Sequence, residues 1–573
     1  MKRSSVLSFI FLGFLFMTAA GLVFTQIAMH ERYKAMSEDN RLKIIPLIAP
    51  RGTISDRNGN DMVKDELSFN VSVKPIRGKN EEGLIRELSE LLVIREDILD
   101  KEFSEAKKRP FSYHVVARDI GIDKAIRIAE MGIDHPGLRL DVTSKRRYPQ
   151  GKSASVFLGY VGFINREEFQ SLKPYGFRMD DLVGRAGLER QYDDYLRGKH
   201  GGKQVEVDNR GREVRVLGLR EPVPGKSLRL TIDLSLQRFC DDLLDGRDGA
   251  IVVMSSNTGE IMALSSSPAY DPNAFMDPER RGEVMRVLND KKHPLLNRAI
   301  TGAYPAGSVF KLVVAVAALE TGAISALTHY NCPGKIVLGS RTFNCWHRGG
   351  HGDIEITEAI KGSCNVFFGK AGLALGPDKI AFYASEMGMG DLSGIDLPFE
   401  AAGLVPSESW KKKAMKDAWY KGDTLNYSVG QGYLLSTPIQ IARMTSVIAN
   451  GGNLVRPYIV EDIDGISVAV REIVPLNFSE KNLNIVREGM RLAVNDRRGT
   501  AMRARQKEIV VAGKTGTAQT SREGDHGWFA GFAPFEKPEL TVVVFDEYGG
   551  KGGAFPAETA GKIFLKAKEL GII

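Results

Sequence analysis

Hydrophobic positions along this 573-residue chain change character twice. From Ser4 to Met29 no residue is charged, and the apolar core at 6–25 has about the twenty residues a helix needs to cross a bilayer. Lys2 and Arg3 precede it, so the positive-inside bias predicts a cytoplasmic N-terminus and an exported body. Thr18-Ala19-Ala20-Gly21 offers the small residues of a cleaved signal sequence, but the apolar run is longer than a secretory core. Residues 1–30 therefore read as a single-pass anchor, followed by a charged, helix-prone stalk at 31–42.

The second regime, 44–224, mixes short alternating runs with many glycines and charges and shows no readable nucleophile-base spacing. Glu221-Pro222-Val223-Pro224-Gly225 breaks the chain, which gives domains at 31–225 and 226–573. The third regime is regular. A strand at 228–232 leads to Asp233, a helix N-cap, followed by Leu236, Phe239, Cys240, Leu243 and Leu244 at helical spacing. Strands at 250–254 and 260–264 flank Asn257-Thr258-Gly259, a hairpin signal. Strands at 509–512, 528–533 and 540–546 precede a last helix at 557–570. Early strands, a helical middle and late strands predict an α/β (α+β) domain. In it, one antiparallel sheet, its edges drawn from both ends of the domain, is flanked by helices.

Composition narrows the function classes. With 43% hydrophobic and 26% charged residues the chain is neither disordered nor fibrous. A net charge of +7 over this length, without a basic run or arginine-aromatic pattern, argues against nucleic-acid binding.

Chemistry concentrates in three places. Pro305 and Gly307 break the chain before Ser308-Val309-Phe310-Lys311, and 309–319 is apolar on nearly every face, as a buried helix is. Ser308 and Lys311 then share a face of the first turn. A serine hydroxyl needs a neighbouring base, and a buried lysine with a depressed pKa can supply one. Alone, Ser308 is more often a helix cap. It is followed by Ser363-Cys364-Asn365, which offers a second hydroxyl and an amide, and by Lys514-Thr515-Gly516-Thr517 after the strand at 509–512. Lys514 offers a cation for a carboxylate, and Gly516 permits close approach of another peptide.

The order Ser-x-x-Lys, Ser-x-Asn, Lys-Thr-Gly is the combination of penicillin-binding proteins and serine β-lactamases. Arg51-Gly52-Thr53-Ile54-Ser55-Asp56-Arg57-Asn58-Gly59, with Ser37-Glu38-Asp39-Asn40-Arg41 before it, resembles the opening of a class B penicillin-binding protein's pedestal. Gly184-Arg185-Ala186-Gly187-Leu188-Glu189 resembles a later pedestal motif. Cys345-Trp346, Gly350-His351-Gly352 and Gly430-Gln431-Gly432-Tyr433-Leu434 are most similar to the elongation-type members, and the division-specific type is the alternative.

The resemblance implies that Ser308 attacks a D-Ala-D-Ala terminus of a peptidoglycan stem peptide, with Lys311 as base. Ser363 and Asn365 would assist proton transfer, and Lys514, Thr515, Gly516 and Thr517 would receive the substrate. It implies acylation of Ser308 by β-lactams and pairing with a RodA-type glycosyltransferase of the elongation complex at the cytoplasmic membrane. A D,D-carboxypeptidase and a non-catalytic β-lactam sensor share the scaffold. No Glu-x-x-x-Asn lies between Ser363 and Asn426 to drive deacylation as in class A β-lactamases.

The chemistry needs no cofactor, but Cys332, Cys345, His351 and Cys364, spaced Cys-x12-Cys-x5-His-x12-Cys, form a candidate structural zinc set. The competitor is a Cys332–Cys345 disulfide, and His347 is an alternative ligand. Elongation-type members are associated with a metal site in this region. Cys240 reads as core.

Overall fold

The computed structural model describes residues 3–34, 42–74, 81–108, 113–135, 137–179, 181–207, 213–520 and 524–573. Lys2, most of the expected stalk and the Ser37–Arg41 motif lie outside them. The chain forms two compact units, one of Met1–Arg51, Asp65–Lys145 and Arg197–Gly225, the other of Gly52–Lys64, Arg146–Leu196 and Lys226–Ile573.

In the first unit, the helix Arg3–Val23 continues as a π-helical turn, Phe24–Ala28. Within it Ser8–Ala28, of mean hydropathy 2.0 and wholly unburied, is the one helix among the described residues long and apolar enough to cross a membrane. A three-stranded antiparallel sheet joins Leu42–Leu47, Gly201–Val207 and Glu213–Arg220. Separately, the helices Glu81–Leu92, Glu96–Lys107 and Ile122–Asp134 turn Leu88, Leu99, Phe103 and Ile128 onto Val71 and Val73 in a small core.

The expected segment 31–225 is thus shared between the units. Within the second unit the Arg146 and Glu189 side chains are fully buried, 2.6 Å apart, and Arg146 also donates to the Gly52 carbonyl at 2.8 Å. A buried charge is tolerated only when paired in this way. Other contacts tie Arg146–Leu196 to the catalytic sequence: the Tyr192 hydroxyl donates to Asp396 at 3.0 Å and the Ser153 hydroxyl to Asp241 at 2.5 Å.

The rest of the second unit is built on a five-stranded sheet. Asp233 accepts from the Leu236 amide and starts α1 (Leu234–Leu244). The strands are β1 (Gly249–Ser255), β2 (Ile261–Ser267), β3 (Ala512–Ala518), β4 (His526–Ala533) and β5 (Leu540–Asp546). Their order is β2-β1-β5-β4-β3, antiparallel throughout. The edges come from the two ends of the domain, as the pattern predicts.

One strand differs from expectation. The Lys-Thr-Gly segment does not follow a strand at 509–512; it is the strand β3. Gly513 and Gly516 mark close packing, at Gly516 as its expected close approach to another peptide requires. A β-carbon at Gly513 would lie 2.4 Å from the Phe529 ring, and one at Gly516 would lie 2.9 Å from the Ala306 carbonyl oxygen. One face of the sheet packs on α1 and the C-terminal helix, among them Cys240, Val544 and Phe564. The other face supports the helical middle, centred on the buried, largely apolar helix that follows Ser308.

Candidate active site

Ser308 lies on a single 3-10 turn, Gly307–Phe310, and the α-helix proper, α2 (Lys311–Glu320), begins at Lys311. The turn is clamped from three sides. Gly307 donates to the Gly430 carbonyl at 2.9 Å. A β-carbon at Gly430, whose φ is +75°, would lie 2.0 Å from the Gly307 carbonyl oxygen, so only glycine fits. The buried indole of Trp528 donates to the Pro305 carbonyl at 3.0 Å, and Phe310 stacks on Tyr427 with centroids 5.1 Å apart. The Ser308 hydroxyl is half-buried.

Lys311 is fully buried. Burial pushes its pKa down to about 8, against the pull of the neighbouring Cys345 and Cys364, so about a tenth of the amine is neutral at pH 7. Its Nζ donates to Oδ1 of Asn365 at 2.6 Å, to the Ser363 carbonyl at 2.9 Å and to the Ser363 hydroxyl at 3.3 Å. Ser-x-x-Lys and Ser-x-Asn therefore meet at one amine. Ser363 sits between α3 (Ile356–Lys361) and α4 (Asn365–Leu375), in the left-handed region at φ +53°. Cys364 caps α4, its sulfur accepting from the Phe367 amide at 3.4 Å.

Strand β3 brings the third motif to the same place. Side-chain alternation puts Lys514 and Gly516 on the face toward the Ser308 turn, and Thr515 and Thr517 on the other. A β-carbon at Gly307 would lie 2.9 Å from the Thr517 carbonyl oxygen and 3.2 Å from the Ala518 nitrogen, which brings the nucleophile's turn against Thr517. Lys514 is fully buried and donates to the Thr515 carbonyl at 3.0 Å; burial and the nearby Lys311 charge hold its pKa well below the ordinary lysine value. Thr517 Oγ1 accepts from the Gly552 amide at 3.4 Å. β3 is the sheet's edge strand, and among its residues only Thr517 is partly exposed.

Beside Ser363 the Cys332, Cys345, His351 and Cys364 ligand atoms all lie within 4.8 Å of one another. His351 Nδ1 is 3.6 Å from the Cys332 sulfur and 3.5 Å from that of Cys345. All four cysteines of the chain are free thiols in this structure, Cys240 standing apart in the core. Hydrogen bonds from Cys364 and His351 hold the Cys345 thiol far below its usual range, and the same contact to Cys345 raises His351. His347 hydrogen-bonds the Gly350 carbonyl instead, at 2.7 Å.

Residues 249–565 match the penicillin binding protein transpeptidase domain, and 46–230 match the penicillin-binding protein dimerisation domain. The chain is 33% identical to the peptidoglycan D,D-transpeptidase MrdA of Haemophilus influenzae, over 96% of its own length and 90% of that protein's. The chain is a class B penicillin-binding protein of the MrdA type. Its structure resembles the penicillin-binding protein PBP2 of Helicobacter pylori, solved in complex with MreC. The TM-score is 0.79 at 30% identity, covering 93% of this chain and all of that one. It also resembles a chain of a peptidoglycan synthase complex that coordinates polymerization and crosslinking, with TM-score 0.78, 32% identity and coverage of 100% and 99%.

Sequence reasoning missed the supporting residues of this site. Trp346, whose indole donates to the Gly362 carbonyl at 2.9 Å, was legible only as part of a family pattern. Gly430 gave no local signal of the turn it packs on, 123 residues earlier in the chain. Thr500, whose hydroxyl donates to the Lys361 carbonyl at 3.2 Å, stands in an unremarked loop.

Proposed function

We propose that this chain is a peptidoglycan D,D-transpeptidase that cross-links stem peptides through a Ser308 acyl-enzyme during cell elongation and rod-shape maintenance. The observation that carries this reading is the buried, partly neutral Lys311 amine bound to both Ser363 and Asn365 one turn from Ser308. Neutral Lys311 takes the Ser308 proton while Oγ bonds to the carbonyl carbon of the penultimate D-Ala. The Ser308 and Thr517 amides stabilise the oxyanion, an effect of roughly 3–4 kcal/mol per donor. On collapse the C–N bond breaks. The Ser363 hydroxyl gives its proton to the leaving D-Ala amine and is reprotonated from the Lys311 ammonium. An acceptor amine then attacks the ester, loses a proton to the same relay and frees Ser308. Water in place of the amine gives D,D-carboxypeptidase activity. Lys514, Thr515, Gly516 and Thr517 hold the donor peptide along the edge of β3.

The helix Ser8–Ala28 supports a single-pass anchor in the cytoplasmic membrane with the N-terminus inside and the catalytic unit outside. Residues 31–225 would serve as pedestal and partner-binding region. The similarity to a chain of a peptidoglycan synthase complex, and to a PBP2 bound to MreC, supports assembly with a RodA-type glycosyltransferase and elongation proteins.

The Cys3His cluster suits a structural zinc held by Cys332, Cys345, His351 and Cys364. In a tetrahedral site with ordinary zinc–sulfur and zinc–imidazole bonds the N···S edge is about 3.5 Å, the separation found from His351 to two of the sulfurs. Four protein ligands leave no open position, so such an ion steadies the segment before Ser363 and activates no water.

The test is full-length protein incubated with lipid-linked glycan strands and, separately, with fluorescent penicillin. Cross-linked dimers and a label on Ser308, both absent in Ser308→Ala, are expected. A label elsewhere would overturn the assignment, and free D-Ala without dimers would favour a carboxypeptidase.

A further inference from the structure

Ser363 occupies the left-handed region at φ +53°, a strained backbone conformation for a non-glycine residue that persists only where the surroundings impose it. The imposing contacts fall on one peptide plane. The Gly362 carbonyl and the Ser363 amide belong to the same rigid unit, whose rotation sets the φ of Ser363. Its amide end donates to the Ile360 carbonyl at 3.2 Å, within the preceding turn. Its carbonyl end accepts the indole N–H of Trp346 at 2.9 Å, from a different segment of chain. Two residues before Trp346, the Asn344 carbonyl accepts from Nδ2 of Asn365 at 3.1 Å. That contact turns the amide so that Oδ1, not Nδ2, faces Lys311. Between them, the Cys345 amide is tied to the Gly334 carbonyl at 2.8 Å.

Trp346 itself is 58% exposed. Its ring meets His347 and His351 edge-on, each at 5.7 Å, but a large aromatic side chain left mostly in solvent is not explained by burial of apolar surface. We infer that Trp346 is a positioning residue for the proton relay: its N–H, donated to Gly362, holds the Ser363 turn in the left-handed geometry that presents the Ser363 hydroxyl to Lys311. This inference rests on the transpeptidase reading of the site.

The test compares full-length wild type with Trp346→Phe, which keeps the ring and removes the donor. Fluorescent penicillin supplies three readouts: the labelled fraction at saturation, the dissociation constant of the initial complex, and the acylation rate constant. Metal content and thermal midpoint are measured alongside. Loss of one neutral hydrogen bond at the relay is expected to slow acylation about three- to tenfold, with the other four quantities unchanged. An unchanged acylation rate overturns the inference. So does a loss confined to labelled fraction, thermal midpoint or bound metal, because those report folding or the cysteine cluster and not the relay. Wild type that takes no label on Ser308 sinks the transpeptidase reading itself, an outcome visible before any variant is compared.

Discussion

Nζ of Lys311 and Oδ1 of Asn365 are 2.6 Å apart, the shortest of the three contacts that amine makes. The two residues lie 54 positions apart on separate helices, and nothing local in either helix requires the contact. It gives a buried amine an acceptor that stabilises the ammonium without adding a formal charge. The amine therefore still titrates near pH 8, low enough to act as a base.

Replacing that amide by a carboxylate tests the balance. In Asn365→Asp an anion at the same distance favours the charged form of Lys311, so its pKa rises, by about one to three units for a close opposite charge. The ascending limb of the acylation rate against pH is expected near pH 8 in the wild type and correspondingly higher in the variant, with much of the alkaline plateau kept. A profile that does not move would show that Lys311 is not the titrating base.

Lys311 also sets activity against stability. Its folded pKa, about 8, lies below the ordinary value of 10.5, so the unfolded chain binds more protons between these values and stability rises with pH across that window. Below pH 8 the full penalty is present, about 3 kcal/mol for a shift of this size. Lys311→Met removes the buried charge at similar volume but leaves the Asn365 and Ser363 acceptors unpaired, which offsets about 1–3 kcal/mol of the gain. At pH 7 the variant is expected to melt no lower than wild type while losing essentially all penicillin acylation. At pH 10 the difference in melting temperature should shrink.

Much of this was readable in the sequence, and the unread part has a physical cause. Asp233 announced its helix because a cap is a local hydrogen bond. The apolar run after Ser308 announced a buried helix because every face of it is covered. The pattern places the strand at 509–512 and not at 512–518; Gly516 is legible as a close approach, but what the two glycines meet, the Phe529 ring and the Ala306 carbonyl, comes from elsewhere in the chain. Tyr192 and Asp396 likewise carry no periodic signal; their hydrogen bond across 204 positions helps tie pedestal-like sequence into the catalytic unit. The three motifs were legible as a set. Their convergence on one amine was not, since spacing along a chain does not fix distance across a fold.

The cysteine cluster makes a countable prediction. With all four cysteines free, protein denatured in a chelator should react with a thiol reagent at four positions, and native protein should carry one equivalent of zinc by elemental analysis. Two reactive thiols would indicate the Cys332–Cys345 disulfide instead. His351→Ala is expected to lower bound zinc and slow acylation several-fold without abolishing it, because the ion supports the chain before Ser363 and takes no part in bond making.

Tyr427 provides a test in the stabilising direction. Its ring stacks on Phe310 beneath the nucleophile's turn and meets Trp419 edge-on at 6.0 Å. Its hydroxyl is buried with no hydrogen-bond partner, and burial pushes its pKa well up. An unsatisfied buried hydroxyl costs about 1–3 kcal/mol, and removing it leaves a ring of almost the same shape. Tyr427→Phe is therefore expected to raise the unfolding free energy of the catalytic unit by about 1 kcal/mol, read as a higher denaturant midpoint with an unchanged slope. The Phe310 stack survives the change, so the rate of Ser308 acylation should stay within twofold of wild type. A lower midpoint would mean that the hydroxyl is satisfied in solution, and a slower acylation would mean that it supports the turn directly.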